Sequence, residues 1–185
     1  MIKALDDAVG AIHQKVKDVG LEEETMIVFI SDNGGASYTG ATTNGTLKGG
    51  KLSQFEGGLN VPFMMKWKNV IPENTIYEDP VSALDLYPTI ANVAKAKVPK
   101  DRVIDGVNLL PFILDEARVE QPHDVLYWRA DHIWAIRKGD YKLIDELFQL
   151  LKNPYSEQLE SEKWFAKRPE WARNKVGCSM LSCSS

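Results

Sequence analysis

The apolar run Thr25-Met-Ile-Val-Phe-Ile30 passes without a break into Ser31-Asp-Asn-Gly-Gly35. A short, non-alternating run rich in β-branched and aromatic residues reads as a strand buried on both faces. The segment after it puts a carboxylate and an amide at the strand's carboxyl end, where open α/β sheets place their ligands. Upstream, Ile2, Leu5, Val9, Ile12, Val16 and Val19 recur at intervals of three and four, the period of an amphipathic helix facing a core, and Gly20 is a natural stop. Helix followed by buried strand predicts α/β layering.

Eight of the thirteen glycines fall between Gly34 and Gly58. A loop of that length is uncommon in a compact domain unless it is functional or disordered, and the enclosed Lys48, Lys51 and Glu56 favour function. Val61 to Trp67 reads as a second buried strand, with Pro62 near its start, where a missing N–H is tolerable. Pro80 to Ala94 carries helical spacing through Leu84, Tyr87, Ile90 and Val93, a core-covering helix that Pro88 either kinks or divides. Asp105 to Asn108 is a turn, and Leu109 to Leu114 a short apolar segment.

The character changes near 116–122. Val125 to Trp128, Ile133 to Arg137, Tyr141 to Ile144 and Leu147 to Leu150 are short runs separated by turns such as Lys138-Gly-Asp140, the pattern of an antiparallel meander. The expected organisation is an α/β part over 1–118 and a small antiparallel-sheet subdomain over 119–174. The tail 175–185 departs abruptly in composition and is expected to be non-native or disordered.

Charge and hydropathy remove several classes of function. With 22 Lys+Arg against 26 Asp+Glu the net charge is −4, and no long basic run favours nucleic acid. No apolar stretch approaches the roughly 20 residues that span a bilayer. The first residues lack a basic region followed by an apolar block, so no secretory leader is visible in them. Cys178 and Cys183, both in the tail, make neither a disulfide framework nor a zinc site.

Asp32 and Asn33 offer two adjacent oxygen donors of the kind hard divalent cations prefer, though Asp-Asn-Gly-Gly is also good chemistry for a plain turn. Lys51, in Leu47-Lys-Gly-Gly-Lys51, has flanking glycines that let a ligand approach the backbone, so its ammonium either meets an anionic oxygen or is solvated. Gly45 to Lys51 is not a phosphate-cradling loop, because Leu52 stands where Ser or Thr is needed and no buried strand leads into Gly45. Glu56 reads as fixing the loop by hydrogen bonds rather than as an acid or base. His13 lies off the apolar stripe and is expected in solvent; His123 and His132 flank the first strand of the small sheet, where histidines are usually uninvolved. Trp128, Trp134, Trp164 and Trp171 read as packing residues.

Three motifs, Thr25 to Gly35, Leu47 to Lys51, and Phe55-Glu-Gly-Gly-Leu-Asn-Val-Pro-Phe63, resemble the sulfatase family in order and approximate spacing. The resemblance continues through Asp79 to Thr89, Asp105 to Pro111, Pro122 to Trp128 and Ala135 to Ile144, and covers about residues 2–150. It implies part of an alkaline-phosphatase-like α/β sandwich with a mostly parallel sheet, followed by a small antiparallel α+β C-terminal subdomain. It also implies hydrolysis of sulfate esters, aryl or carbohydrate, by a formylglycine made from Cys or Ser. By matching motif, Asp32 and Asn33 correspond to two ligands of a divalent cation, Ca²⁺ or in its place Mg²⁺, and Lys51 to the catalytic lysine that contacts the sulfate. Many members are exported or lysosomal.

This chain departs from the family in three respects. The formylglycine segment Cys/Ser-x-Pro-x-Arg does not occur in it, nor does the segment near the family's N-terminus whose Asp-Asp pair completes the metal site. The helix near Met1 is similar to an internal helix of the family, so the start reads as a truncation, and the chain alone is expected to be inactive towards aryl sulfates. Leu52-Ser-Gln follows Lys51, where the family commonly has Gly-Thr. Two other readings stay open: a phosphodiesterase or phosphatase of the same superfamily, and a non-catalytic binding module.

Overall fold

A computed structural model describes residues 1–114, 121–130 and 133–145, together with the backbone of 165–167. It divides into two compact units. The described residues of the first are Met1–Ile30 and Pro62–Ile76; the second comprises Ser31–Val61 and the described part of Tyr77–Gly177.

In the first unit, helix α1 (Ile2–Asp18) has Lys15 and Lys17 in its last turn, where cations complement the helix dipole. It ends as the sequence predicts. Gly20 takes φ +73°, its N–H bonds Lys17 O at 2.9 Å, and Leu21 N–H reaches back to Val16 O at 3.1 Å, a Schellman closure. The apolar stripe does not meet a core among the described residues: no α1 residue is buried, and Ile2 and Ile12 are 86% and 60% exposed.

Strands β1 (Ile27–Ile30) and β2 (Phe63–Lys66) form where the apolar runs predict them and pair antiparallel, Ile27 opposite Lys66 and Ile30 opposite Phe63. The ribbon differs from the expectation of a sheet that is buried on two faces and mostly parallel. Every β1 residue is only half-buried, and all strand pairings among the described residues are antiparallel. An apolar run without alternation fixes neither strand direction nor how many neighbours cover it. The segments flanking the ribbon are tied by Trp67 Nε1 donating to Glu23 O (2.7 Å), Asn69 Nδ2 to Glu23 Oε1 (2.8 Å) and Lys68 Nζ to Glu22 Oε2 (3.0 Å). His13, expected in solvent, is half-buried; it contacts Lys66 and lies 3.7 Å from Glu22 Oε1.

In the second unit, the predicted loop after Gly34 is loop and turn, with one 3₁₀ turn over Ser37–Thr39, down to the one-turn helix α2 (Glu56–Leu59). Helix α3 (Leu86–Val93) follows a 3₁₀ turn over Ala83–Asp85, so the segment is divided and Pro88 falls in the first turn of α3, where no N–H is required of it. Ser82 and Asp85 form a capping box.

The predicted apolar stripe of this segment faces outward, with Leu84 60% exposed and Tyr87 and Ile90 exposed too. Asp85, Thr89 and Ala91 are buried instead. The reason is hydrogen bonding to the next segment: Asp85 Oδ1 accepts from Val107 N (2.8 Å), and Thr89 Oγ1 accepts from Leu109 N (2.9 Å). Leu109, fully buried, leads into helix α4 (Leu110–Ile113).

The small sheet is an antiparallel meander of β3 (Val125–Ala130), β4 (Ile133–Lys138) and β5 (Tyr141–Asp145), with β6 (Phe165–Lys167) added beside β5. Gly139 takes φ +55° at the first position of the two-residue turn between Lys138 and Tyr141, as a II′ hairpin demands. The predicted run Leu147 to Leu150 and the tail 175–185 lie outside the described residues.

Candidate functional site

The loop is closed by backbone hydrogen bonds. Gly34 N–H donates to Gly58 O at 2.9 Å, Lys51 N–H to Gly35 O at 3.1 Å, and Gly57 N–H to Lys48 O at 2.7 Å. The segment 31–35 therefore lies alongside both arms of the loop. A Cβ at Gly34 would sit 1.6 Å from Gly57 O, so only glycine permits this approach.

A residue that sequence reasoning does not single out holds the centre of this arrangement. Asn44 Oδ1 accepts from Gly35 N (2.8 Å), while its Nδ2 donates to Gly35 O (3.0 Å) and Gly49 O (2.9 Å). A lone Asn in a glycine-rich loop carries no periodic signal. The one available hint is that Asn, unlike its neighbours Thr42 and Thr43, offers a donor and an acceptor on one rigid amide.

Asp32 is exposed, and its Oδ1 accepts from Asn33 N at 2.9 Å. Asn33 is half-buried; its Nδ2 donates to Gly34 O at 3.0 Å, and its own carbonyl accepts from Ser31 Oγ at 2.9 Å. The amide orientation leaves Asn33 Oδ1 as the side-chain atom without a bond among the described residues. One Asp32 carboxylate oxygen and this amide oxygen suit a hard divalent cation in kind, while Ca²⁺ takes six to eight oxygens in all. No group of three His, Cys, Asp or Glu among the described residues could hold a metal by itself.

The two lysines of Leu47 to Lys51 have different surroundings. Lys48 Nζ lies 4.1 Å from the centroid of the Phe55 ring, a cation–π contact. Lys51 is exposed, and its ammonium has no hydrogen bond or ion pair among the described residues. Its backbone bond to Gly35 puts the segments bearing Lys51 and Asp32-Asn33 side by side. Leu52, which follows it, takes φ +74°, the left-handed conformation that glycine adopts freely.

Glu56 fixes the loop, as the sequence predicts. Its Oε1 accepts from Lys142 Nζ of β5 at 2.9 Å, and its Oε2 lies 3.6 Å from Arg137 Nη1 of β4. Lys142 is 4% exposed and stands 4.9 Å from the centroid of the Trp128 ring. His123 is also structural: its Nε2 lies 2.9 Å from both carboxylate oxygens of the fully buried Asp85. His132, Trp164, Trp171 and both cysteines lie outside the described residues.

The sequence model of the Sulfatase family matches residues 1–96. The chain is 34% identical over 144 residues to N-acetylgalactosamine-6-sulfatase of Canis lupus familiaris, covering 76% of this chain and 27% of that protein. It is 30% identical over 161 residues to steryl-sulfatase of Mus musculus, covering 82% and 26%. The crystal structure of Ps i-CgsB in complex with k-i-k-neocarrahexaose is similar with a TM-score of 0.70 and 38% identity, over 78% of this chain and 33% of that one. The chain thus spans about a quarter of the length of the curated relatives it matches.

Proposed function

Because the chain belongs to the sulfatase family, we propose that it forms one wall of the site of a sulfuric ester hydrolase. In this reading Lys51 contacts the sulfate group, and Asp32 and Asn33 are ligands of a divalent cation, Ca²⁺ or Mg²⁺. The observation that carries it is the joining of Lys51 to Gly35 with the Lys51 ammonium left unengaged among the described residues, while the nearby Lys48 is taken up by Phe55. An unengaged ammonium on a glycine-flanked backbone is suited to an anionic oxygen.

When bound, the cation would supply Lewis-acid polarisation of a sulfuryl oxygen. Lys51 would add a fixed positive charge where negative charge builds up on the ester. Residues 1–118 would be the C-terminal part of an α/β catalytic domain whose mostly parallel sheet is completed by the rest of the enzyme, and 119–174 the small appended subdomain. The neocarrahexaose held by the 38% identical structure and the name N-acetylgalactosamine-6-sulfatase point to a carbohydrate sulfate, and the name steryl-sulfatase to a sterol sulfate.

The 185 residues contain no Cys/Ser-x-Pro-x-Arg. Without a covalent nucleophile the pathway itself is missing, so in this reading the chain alone is inactive. The test is a titration of the ¹⁵N-labelled chain with inorganic sulfate, read by NMR. Saturable shifts at the Gly50 and Lys51 amides are expected, and Lys51→Ala abolishes them. Shifts that survive Lys51→Ala, or turnover of 4-nitrophenyl sulfate by the purified chain, would refute the reading.

A further inference from the structure

We propose that Lys142, on the small sheet, is a positioning residue for the sulfate-contacting loop, acting through Glu56. The inference rests on the reading of Lys51 given above, but its geometry is independent of it. Arg137 and Lys142 stand directly opposite each other on β4 and β5. Like charges in that cross-strand position repel and destabilise a sheet. Glu56 comes in from the loop, 86 residues away from Lys142 in sequence, with one carboxylate oxygen near each cation. Lys142 is nearly buried, so its charge requires a partner, and its contact with the Trp128 ring fixes the side chain from another strand.

Glu56 is the first residue of α2, and the two residues after it hold the loop. Gly57 N–H bonds Lys48 O, and Gly58 O accepts from Gly34 N–H. Moving Glu56 therefore shifts the arm that carries Lys51 and the segment that carries Asp32 and Asn33 together. The glycine contacts leave no slack to absorb such a shift, since a Cβ at Gly57 would already lie 2.4 Å from Gly49 O. A carboxylate held this way, half-buried and engaged by two cations, serves to place the loop.

The test uses the full 185-residue chain and two readouts, amide hydrogen exchange and the affinity for inorganic sulfate. Lys142→Met keeps an unbranched apolar stem and removes the ammonium. The expected result is at least tenfold faster exchange at the Gly34 and Gly57 amides and at least tenfold weaker sulfate binding, with β3–β4 amides unchanged. Lys142→Arg retains wild-type behaviour in both. Should Lys142→Met fail to fold, Glu56→Gln keeps the side-chain length and is expected to give the same local pattern.

Wild-type exchange at Gly34 and Gly57 in a folded Lys142→Met or Glu56→Gln chain overturns the inference. So does a uniform rise in exchange across the second unit, which would make Lys142 an ordinary core residue. Sulfate binding insensitive to Lys51→Ala sinks the functional reading instead, and leaves the exchange result to decide the role of Lys142.

Discussion

Asn44 grips Gly35 at both of its backbone polar groups, accepting from the N–H at 2.8 Å and donating to the carbonyl at 3.0 Å. The same carbonyl accepts from Lys51 N–H, so one residue joins the segment 31–35 to the lysine arm. A third bond, to Gly49 O, spans the remaining gap.

Asn44→Ala removes these bonds and strands half-buried backbone groups. At about 1 kcal/mol for each, the loss of stability should be about 2–3 kcal/mol. The urea midpoint is expected to fall accordingly with an unchanged slope. A midpoint within error of wild type would show that water replaces the amide without cost.

Leu52 stands at φ +74° immediately after Lys51. For a residue with a Cβ this costs about 1–2 kcal/mol, whereas glycine loses about 0.5–1 kcal/mol more chain entropy on folding. Leu52→Gly should therefore stabilise the chain by about 0.5–1 kcal/mol. A lower melting temperature for the variant would mean that the contacts of the leucine side chain outweigh the backbone strain.

The pairing of Glu22 with Lys68 predicts a pH effect. The hydrogen bond from Lys68 is the main cause that holds the Glu22 carboxyl below its ordinary value of 4.5, and the same bond raises Lys68 above its own. A depressed carboxyl adds stability that is present above the unfolded value and is lost as pH falls through the folded one. The contribution therefore disappears below about pH 4.5. Lys68 is exposed and the pair lies at the surface, where water screens it, so the effect is small. In Lys68→Met the side-chain ¹³C titration of Glu22 should move up towards the ordinary range; an unmoved curve would assign the shift to another neighbour.

What the sequence can and cannot reveal follows from the range of each interaction. The end of α1 at Gly20, the runs that form β1 and β2, and the hairpin at Gly139 all depend on neighbours a few residues away, and all are legible. The role of Glu56 is legible in kind, but its partner Lys142 is not, since nothing local encodes a contact across 86 residues. The segment around α3 defeats the periodicity argument for a physical reason. Helical period distinguishes two faces, and the apolar one is normally inside, yet here Asp85 and Thr89 are buried because the backbone of 107–109 needs their oxygens. The direction of β2 relative to β1 is likewise unreadable, because a continuous apolar run is compatible with either pairing.

That buried polar face yields the last prediction. Asp85 is fully buried and accepts from Ser82 N at 2.7 Å, from Val107 N at 2.8 Å and from His123 Nε2 at 2.9 Å. Asp85→Asn substitutes an NH₂ for one acceptor oxygen, which then faces a backbone N–H with no lone pair to offer. His123→Ala removes one donor and leaves the carboxylate its two backbone partners. The first change should cost about 3 kcal/mol and the second about 1–2 kcal/mol. Urea unfolding of both variants checks the order. If His123→Ala proves the more damaging, the imidazole rather than the backbone amides is what makes the buried carboxylate tolerable.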